Sequence, residues 1–199
     1  MALRSQPRPQ SDVIVVGLGN PGPHYENTRH NVGYLVVHEL ARRHGFPKAR
    51  RGYDGRFAVG SIAGRAVALL QPTTWMNESG RSVAAALRAL KLPLDRLLVV
   101  HDHIDLPFGR LRLASGGGSG GHNGLKSVTG LIGADYARLR VGVDRPASYD
   151  PDVVADYVTS RFAESKAEVE AVVAQAADAV ELWVELGMDE AANRVNAPG

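Results

Sequence analysis

"VIVVGLGNPG", residues Val13 to Gly22, decides the fold. Four consecutive apolar residues, three of them valine, closed by glycine, read as an interior strand of a sheet. Gly17, Gly19 and Gly22 also satisfy G-x-G-x-x-G, the spacing of a dinucleotide-binding turn. Such a turn must lead directly into a helix whose first amides receive a pyrophosphate. Here "PHYENTRHN" follows, Pro21 and Pro23 stiffen it, and helical spacing starts only near Asn31. The acidic residue expected about 20 positions on would be Glu39, which sits inside a helical pattern. The dinucleotide reading fails on context. The turn instead delivers Asn20, Tyr25 and His30 to the carboxyl edge of a central strand, where open α/β sheets place ligands. Asn20 alone equally fits a turn residue that tolerates unusual backbone angles.

Outward from this stretch, Val32, Leu35, Val36 and Leu40 keep helical spacing, with Arg42 and Arg43 in the last turn and Gly45 as the stop. "RFAVGSIAG" and "AVALLQP" read as neighbouring strands joined by a Gly64-Arg65 turn. "SGRSVAAALRALKL" reads as a helix capped by Ser79 and stopped by Pro93. "RLLVVHD" is a second central strand, followed by "GRLRLA", a helix from about Asn123, and "RLRVGVD". After Asp150 the chain is helical, and Val169, Val172, Val173, Ala176, Val180, Trp183 and Val184 form one stripe. This alternation predicts an α/β class, one sheet between helices, in a single domain over residues 12–199. The polar, proline-bearing "MALRSQPRPQS" (1–11) is expected to be a disordered lead-in.

A chain of 199 residues with 44% apolar content is large enough for a sizeable core. The absence of cysteine removes disulfides, thiolate nucleophiles and cysteine zinc sites, and fits a reducing compartment. No apolar run approaches the ~18 residues of a membrane span, so a soluble, cytoplasmic protein is expected. The net charge of +2 hides an asymmetry. Residues 1–149 carry 20 Lys/Arg and 10 Asp/Glu, whereas residues 150–199 carry 3 and 11. That pattern points to a polyanionic partner, nucleic acid foremost, for the body, and to an acidic helical face at the end. An arginine-rich composition is the plainer alternative.

Two short motifs mislead. "GGSGG" (117–121) matches G-x-S-x-G, but a serine nucleophile needs a histidine downstream and free to meet it. The only later histidine is His122, which excludes that hydrolase type. "HDHID" (101–105) resembles the H-x-H-x-D opening of binuclear metal hydrolases, although Leu106 stands where the next histidine belongs. Two histidines and two aspartates can hold zinc. The alternative is a strand end whose polar residues leave the core.

Three polar clusters follow strands, "GNPGPHYENTRHN", "QPTTWMNESG" and "HDHIDLPFG", and a fourth is the loop "GGGSGGHNGLKS". Converging on one sheet edge, they supply Asn20, His30, Asn77, Asp102 and Asn123. His30 is then the candidate general base, with Asp102 to hold its tautomer and stabilise the imidazolium. With no serine or cysteine in position, water is the nucleophile, and the asparagine amides fix substrate, water or a developing oxyanion.

These four clusters, in this order and spacing, resemble the bacterial peptidyl-tRNA hydrolase family over Val13 to about Asn196. The resemblance implies a twisted mixed sheet flanked by helices, of the phosphorylase/hydrolase-like kind. It implies a monomer without cofactor or metal that cleaves the ester between a peptide and the 3′-terminal ribose of tRNA. By motif position, His30 matches the family's base and Asp102 its supporting carboxylate. Asn20 and Asn123 match residues that bind the peptide and order the water, and Asn77 a further positioning amide. Tyr25, Trp75 and Met76 would border the substrate channel. Arg110, Arg112, Lys126 and Arg140 are candidates for phosphates of the acceptor arm, although strand-edge arginines are often merely solvated. The chain departs from the family at His103, where glutamate is common, and at Ala114, where lysine or arginine is common. Two other readings stand beside the esterase: a catalytically silent RNA-binding relative, and a metal-dependent hydrolase using His101 and His103.

Overall fold

A computed structural model of the chain describes residues 11–197. In it, β1 (Val13–Gly17) is buried throughout, and the helix after it, α1 (Val32–Arg43), approaches to a distance only glycine permits. A Cβ on Gly33 would lie 2.5 Å from both the Leu18 nitrogen and the Val100 oxygen, and one on Gly17 would lie 2.1 Å from the Gly33 oxygen. The first glycine of the opening turn thus serves helix-to-sheet packing, the second lies under the Tyr34 ring, and neither faces a phosphate site.

The remaining strands are β2 (Arg50–Gly52), β3 (Gly55–Ile62), β4 (Arg65–Pro72), β5 (Leu97–His103), β6 (Leu111–Ser115) and β7 (Ala137–Gly142). They form one mixed sheet in the order β2-β3-β4-β1-β5-β7-β6. Strands β4, β1, β5 and β7 run parallel; β2, β3 and β6 pair antiparallel at the two sides. One face is covered by α1, α5 (Lys166–Leu186) and α6 (Met188–Val195), the other by α2 (Ser79–Leu90) and α3 (Asn123–Ile132). Each face has its own apolar core, as the burial of two-sided strands requires. The chain leaves β1 toward one side of the sheet and returns at β5 on the other, a switch point that opens a crevice at the carboxyl ends of β1 and β5.

Several local expectations are refined. The β3–β4 turn is Ala63-Gly64, both at positive φ as a tight hairpin requires, rather than Gly64-Arg65. Ser79 does not cap α2: a 3-10 turn over Met76–Glu78 precedes the helix, and the Ser79 hydroxyl donates to the Met76 carbonyl. The region after Asp150 is three helices, because α4 (Pro151–Thr159) ends before a capping box at Ser165 and Glu168 starts α5. The acidic face of α5 is partly neutralised within the fold, since Arg43 of α1 reaches Asp178 at 2.6 Å and Glu181 at 3.2 Å. Of the stretch expected to be disordered, residues 1–10 lie outside the described residues, and Ser11 is buried.

Candidate active site

The carboxyl ends of β1, β4 and β5, the start of α3 and the side of α4 enclose a cleft of about 660 Å³. Asn20, His30, Trp75, Met76, Asn77, Asp102, Asn123 and Lys126 all line it. His30 arrives on a 3-10 turn, Arg29–Asn31, that runs straight into α1. That turn is fixed from both sides. The Asn31 side chain accepts from the Asn20 main-chain N–H at 2.8 Å and donates to the Asn20 carbonyl at 2.9 Å. Arg29 is buried, donates to the Ser160 hydroxyl and the Arg161 carbonyl, and lies 4.1 Å over the Tyr157 ring. Through Arg29 the α4 wall of the cleft is tied to the residue next to His30.

His30 Nδ1 sits 2.9 Å and 3.0 Å from the two carboxylate oxygens of Asp102, and both residues are buried. Burial alone would push the imidazole down, but the charge and hydrogen bond of Asp102 outweigh it, and the His30 pKa stands above its ordinary value. Burial likewise opposes ionisation of Asp102, yet His30 and His122 hold its carboxyl well below the usual range. A carboxylate facing Nδ1 requires the proton on that nitrogen, which leaves the Nε2 lone pair available. Nε2 has no hydrogen-bond partner among the described residues.

His122, which no strand end or sequence motif singles out, supplies the third member of this set. Its Nδ1 lies 3.1 Å and 3.3 Å from the Gly124 and Leu125 amides, and so accepts from two backbone N–H groups as the N-cap of α3. Its proton must therefore sit on Nε2, which donates to Asp102 Oδ1 at 2.9 Å. The available signal was position: a polar residue directly ahead of a helix start, beside an asparagine already singled out. His30, Asp102 and His122 are also close enough to suggest a shared cation. A protonated Nε2 on His122 has no lone pair to offer one, so the three form a hydrogen-bonded set.

The metal reading of "HDHID" does not survive the geometry. His101 is fully buried, its Nδ1 donates to the Asp102 carbonyl, and its ring stands perpendicular to that of His103 at 6.2 Å. Burial holds His101 well below its ordinary pKa. Asp102 serves His30 and His122, and Asp105 pairs with Arg145 at 2.6 Å.

Asn20 is positioned with one end committed. Its Oδ1 accepts from the Met76 amide at 2.8 Å, so its Nδ2 hydrogens are the free donors at the cleft. Asn77, Asn123 and Lys126 are exposed on the rim. Trp75 is 53% exposed there, and Tyr25 packs edge-on against it at 5.9 Å rather than lining the cleft itself. The other basic candidates lie outside the cleft. Arg112 and Arg140 are partners in the β6–β7 register, on the sheet face below the glycine loop. Arg110 is turned to the main-chain carbonyls of Asn196 and Ala197.

A buried histidine–carboxylate pair and a committed amide line a cleft at the switch point of the sheet. A family model described as peptidyl-tRNA hydrolase matches residues 14–199. A peptidyl-tRNA hydrolase of Mycobacterium avium is 46% identical over 189 residues, spanning 93% of this chain and 97% of that one. One from a Roseiflexus species is 47% identical over 93% of this chain and 86% of its own. The solved structure of the Acinetobacter baumannii peptidyl-tRNA hydrolase superposes with a TM-score of 0.83 at 35% identity, covering 97% of each chain. A purine nucleoside phosphorylase of Toxoplasma gondii shares the fold alone, at a TM-score of 0.54 and 7% identity. No described helix is long and apolar enough to cross a membrane. Sequence, fold and comparisons converge: the chain belongs to the peptidyl-tRNA hydrolase family.

Proposed function

We propose that the protein hydrolyses the ester joining a peptide to the 3′-terminal ribose of tRNA, by water activated at His30. The observation that carries this reading is the His30–Asp102 pair, with Nδ1 engaged, Nε2 unpartnered, and Asn20 lining the same cleft. His30 Nε2 removes a proton from water as the water oxygen bonds to the ester carbonyl carbon. Asn20 Nδ2 donates to the oxygen on which negative charge develops. Asp102 stabilises the imidazolium, which then gives its proton to the ribose oxygen as the carbon–oxygen bond breaks. Positioned base catalysis contributes about 10²–10⁴-fold and an oriented oxyanion donor about 10²–10³-fold. Those terms suit an ester, so no metal or cofactor is invoked.

Asn123 and Asn77 hold the peptide and order the water, and Met76, Trp75 and Tyr25 border the channel. Lys126, Arg112 and Arg140 take phosphates of the acceptor arm, with Arg110 at the margin of that surface. The enzyme acts as a monomer in the cytoplasm. Support comes from the family membership and from the excess of basic residues in the first 149 positions. Incubating the purified protein with peptidyl-tRNA, with and without chelator, tests the proposal. Release of free tRNA and peptide in both arms is the expected result. RNA binding without cleavage would favour the silent relative, and cleavage abolished by chelation would favour a metal-dependent reaction.

A further inference from the structure

His103 is unused by the mechanism above. It lines the cleft together with His30, Asp102 and Lys126, is partly exposed, and its side chain has no hydrogen-bond partner among the described residues. Strand alternation sets Val99, His101 and His103 on one face of β5, the face whose core includes Leu125 of α3. The parallel register places Arg140 beside His101, and the antiparallel register places Arg112 beside Arg140. One polar row therefore crosses three strands on this face. Arg138, one step back along β7, is buried and donates to the Gly118 carbonyl at 2.7 Å.

The glycine loop lies over this row without covering it. A Cβ on Gly117 would come within 3.4 Å of an Arg140 terminal nitrogen, and one on Gly120 within 3.5 Å of His103 Cε1. Glycine at both places adds no side chain over those polar groups, which are half-buried. Neither Arg112 nor Arg140 has a carboxylate partner among the described residues, and burial together with the Arg112 and Arg138 charges holds the Arg140 guanidinium below its ordinary pKa. Close, unneutralised guanidinium groups suit an anion.

Resting on the proposed ester hydrolysis, we infer that His103 is a specificity-determining contact for the phosphodiester immediately 5′ to the reacting ribose. Arg140 and Arg112 continue the same anion track away from the cleft. His103 lies two residues beyond this row on the same face of β5, beside Gly142, and shares the cleft with His30 and Asp102, so it meets the phosphate nearest the chemistry. The charged and titratable groups facing it are Arg140, Asp105, Asp102 and His122. Asp105 is paired with Arg145 and Asp102 with its two histidines, so neither carboxylate claims the His103 N–H. Burial, and then Arg140, hold this imidazole below its ordinary pKa, so it meets the phosphate as a neutral donor.

The test compares two peptidyl esters, one on a 3′-terminal dinucleotide and one on the terminal nucleoside alone, which lacks the phosphodiester. On the dinucleotide, His103→Glu is expected to raise KM about tenfold with kcat little changed, because a carboxylate faces a phosphate. His103→Gln, which keeps an N–H donor, should raise it less. On the nucleoside the differences among the three proteins should collapse. Equal deficits on both esters, a deficit in kcat rather than KM, or no deficit on either would overturn the assignment of His103. Failure of the unmodified enzyme to cleave the dinucleotide ester and peptidyl-tRNA alike would overturn the ester-hydrolase reading itself, a separate result.

Discussion

Replacing Asp102 by asparagine should do more than remove a charge: it should turn the His30 imidazole into the wrong tautomer. His122 cannot adapt, because its Nδ1 receives two backbone N–H groups and its Nε2 must donate. The asparagine oxygen is therefore drawn to the Oδ1 position, 2.9 Å from His122 Nε2. Its amide nitrogen then occupies the Oδ2 position, 3.0 Å from His30 Nδ1. An N–H donor there needs a lone pair on Nδ1, so the His30 proton moves to Nε2, the atom that must accept from water. The imidazolium also loses its counter-charge, worth about 4 kcal/mol at 4 Å for an effective dielectric near 20. Either effect corresponds to a fall of about 10³-fold. Single-turnover cleavage of peptidyl-tRNA by Asp102→Asn, with tRNA affinity measured in parallel, reads this directly. Affinity should be retained. A rate within about tenfold of the unmodified enzyme would mean that Nε2 still accepts a proton and that Asp102 does not set the His30 tautomer.

His122→Asn separates capping from support of Asp102. Asparagine is a good N-cap, so the melting free energy should stay within about 1 kcal/mol, while the turnover rate falls through loss of the Asp102 contact; an unchanged rate would make His122 a cap and nothing more. The acid limb of kcat/KM should lie above the ordinary histidine value of 6.5, since the His30 pKa is raised and only the neutral ring is a base. Stability from the pair runs in the opposite sense. The His30 share is full below about 6.5 and is lost as pH rises through its folded value. The Asp102 share is present above its ordinary 3.8 and is lost as pH falls through its folded value. Denaturant titrations across pH check both signs. Arg140→Ala and Arg112→Ala should each lower the slope of log affinity against log salt by about 1 per lost phosphate contact, without touching the pH profile; an unchanged slope would remove that residue from the RNA surface.

The parts of this site legible in the sequence are those marked by a strand followed at once by polar residues. Asn20, His30, Asn77 and Asp102 stand out because strand burial and a sudden change of chemistry are both local signals. The long helix stripe through Val172, Val180 and Trp183 was equally clear, since its period alone points to a buried face. What stayed hidden depends on contacts distant in the chain. His122 gains its role from a carboxylate twenty residues earlier and from a cap chemistry that serine or aspartate more often supplies. Arg29 reads as a surface cation until the α4 end, more than 130 residues later, encloses it. Strand β2 is Arg-Arg-Gly at the sheet margin, with no apolar alternation to announce it. Arg110 carried a charge in the expected neighbourhood but points to the chain's last described residues, which the local sequence does not encode.

If one imidazole activates the water, His30→Ala removes the base while leaving the basic surface intact. The rate of peptidyl-tRNA cleavage should be measured in chelator-containing buffer, at enzyme concentrations above the affinity for tRNA. A loss of at least about 10²-fold is expected with tRNA binding preserved, because the ring contributes to chemistry and the basic surface to affinity. Cleavage at the unmodified rate by that variant would contradict activation of the water by His30.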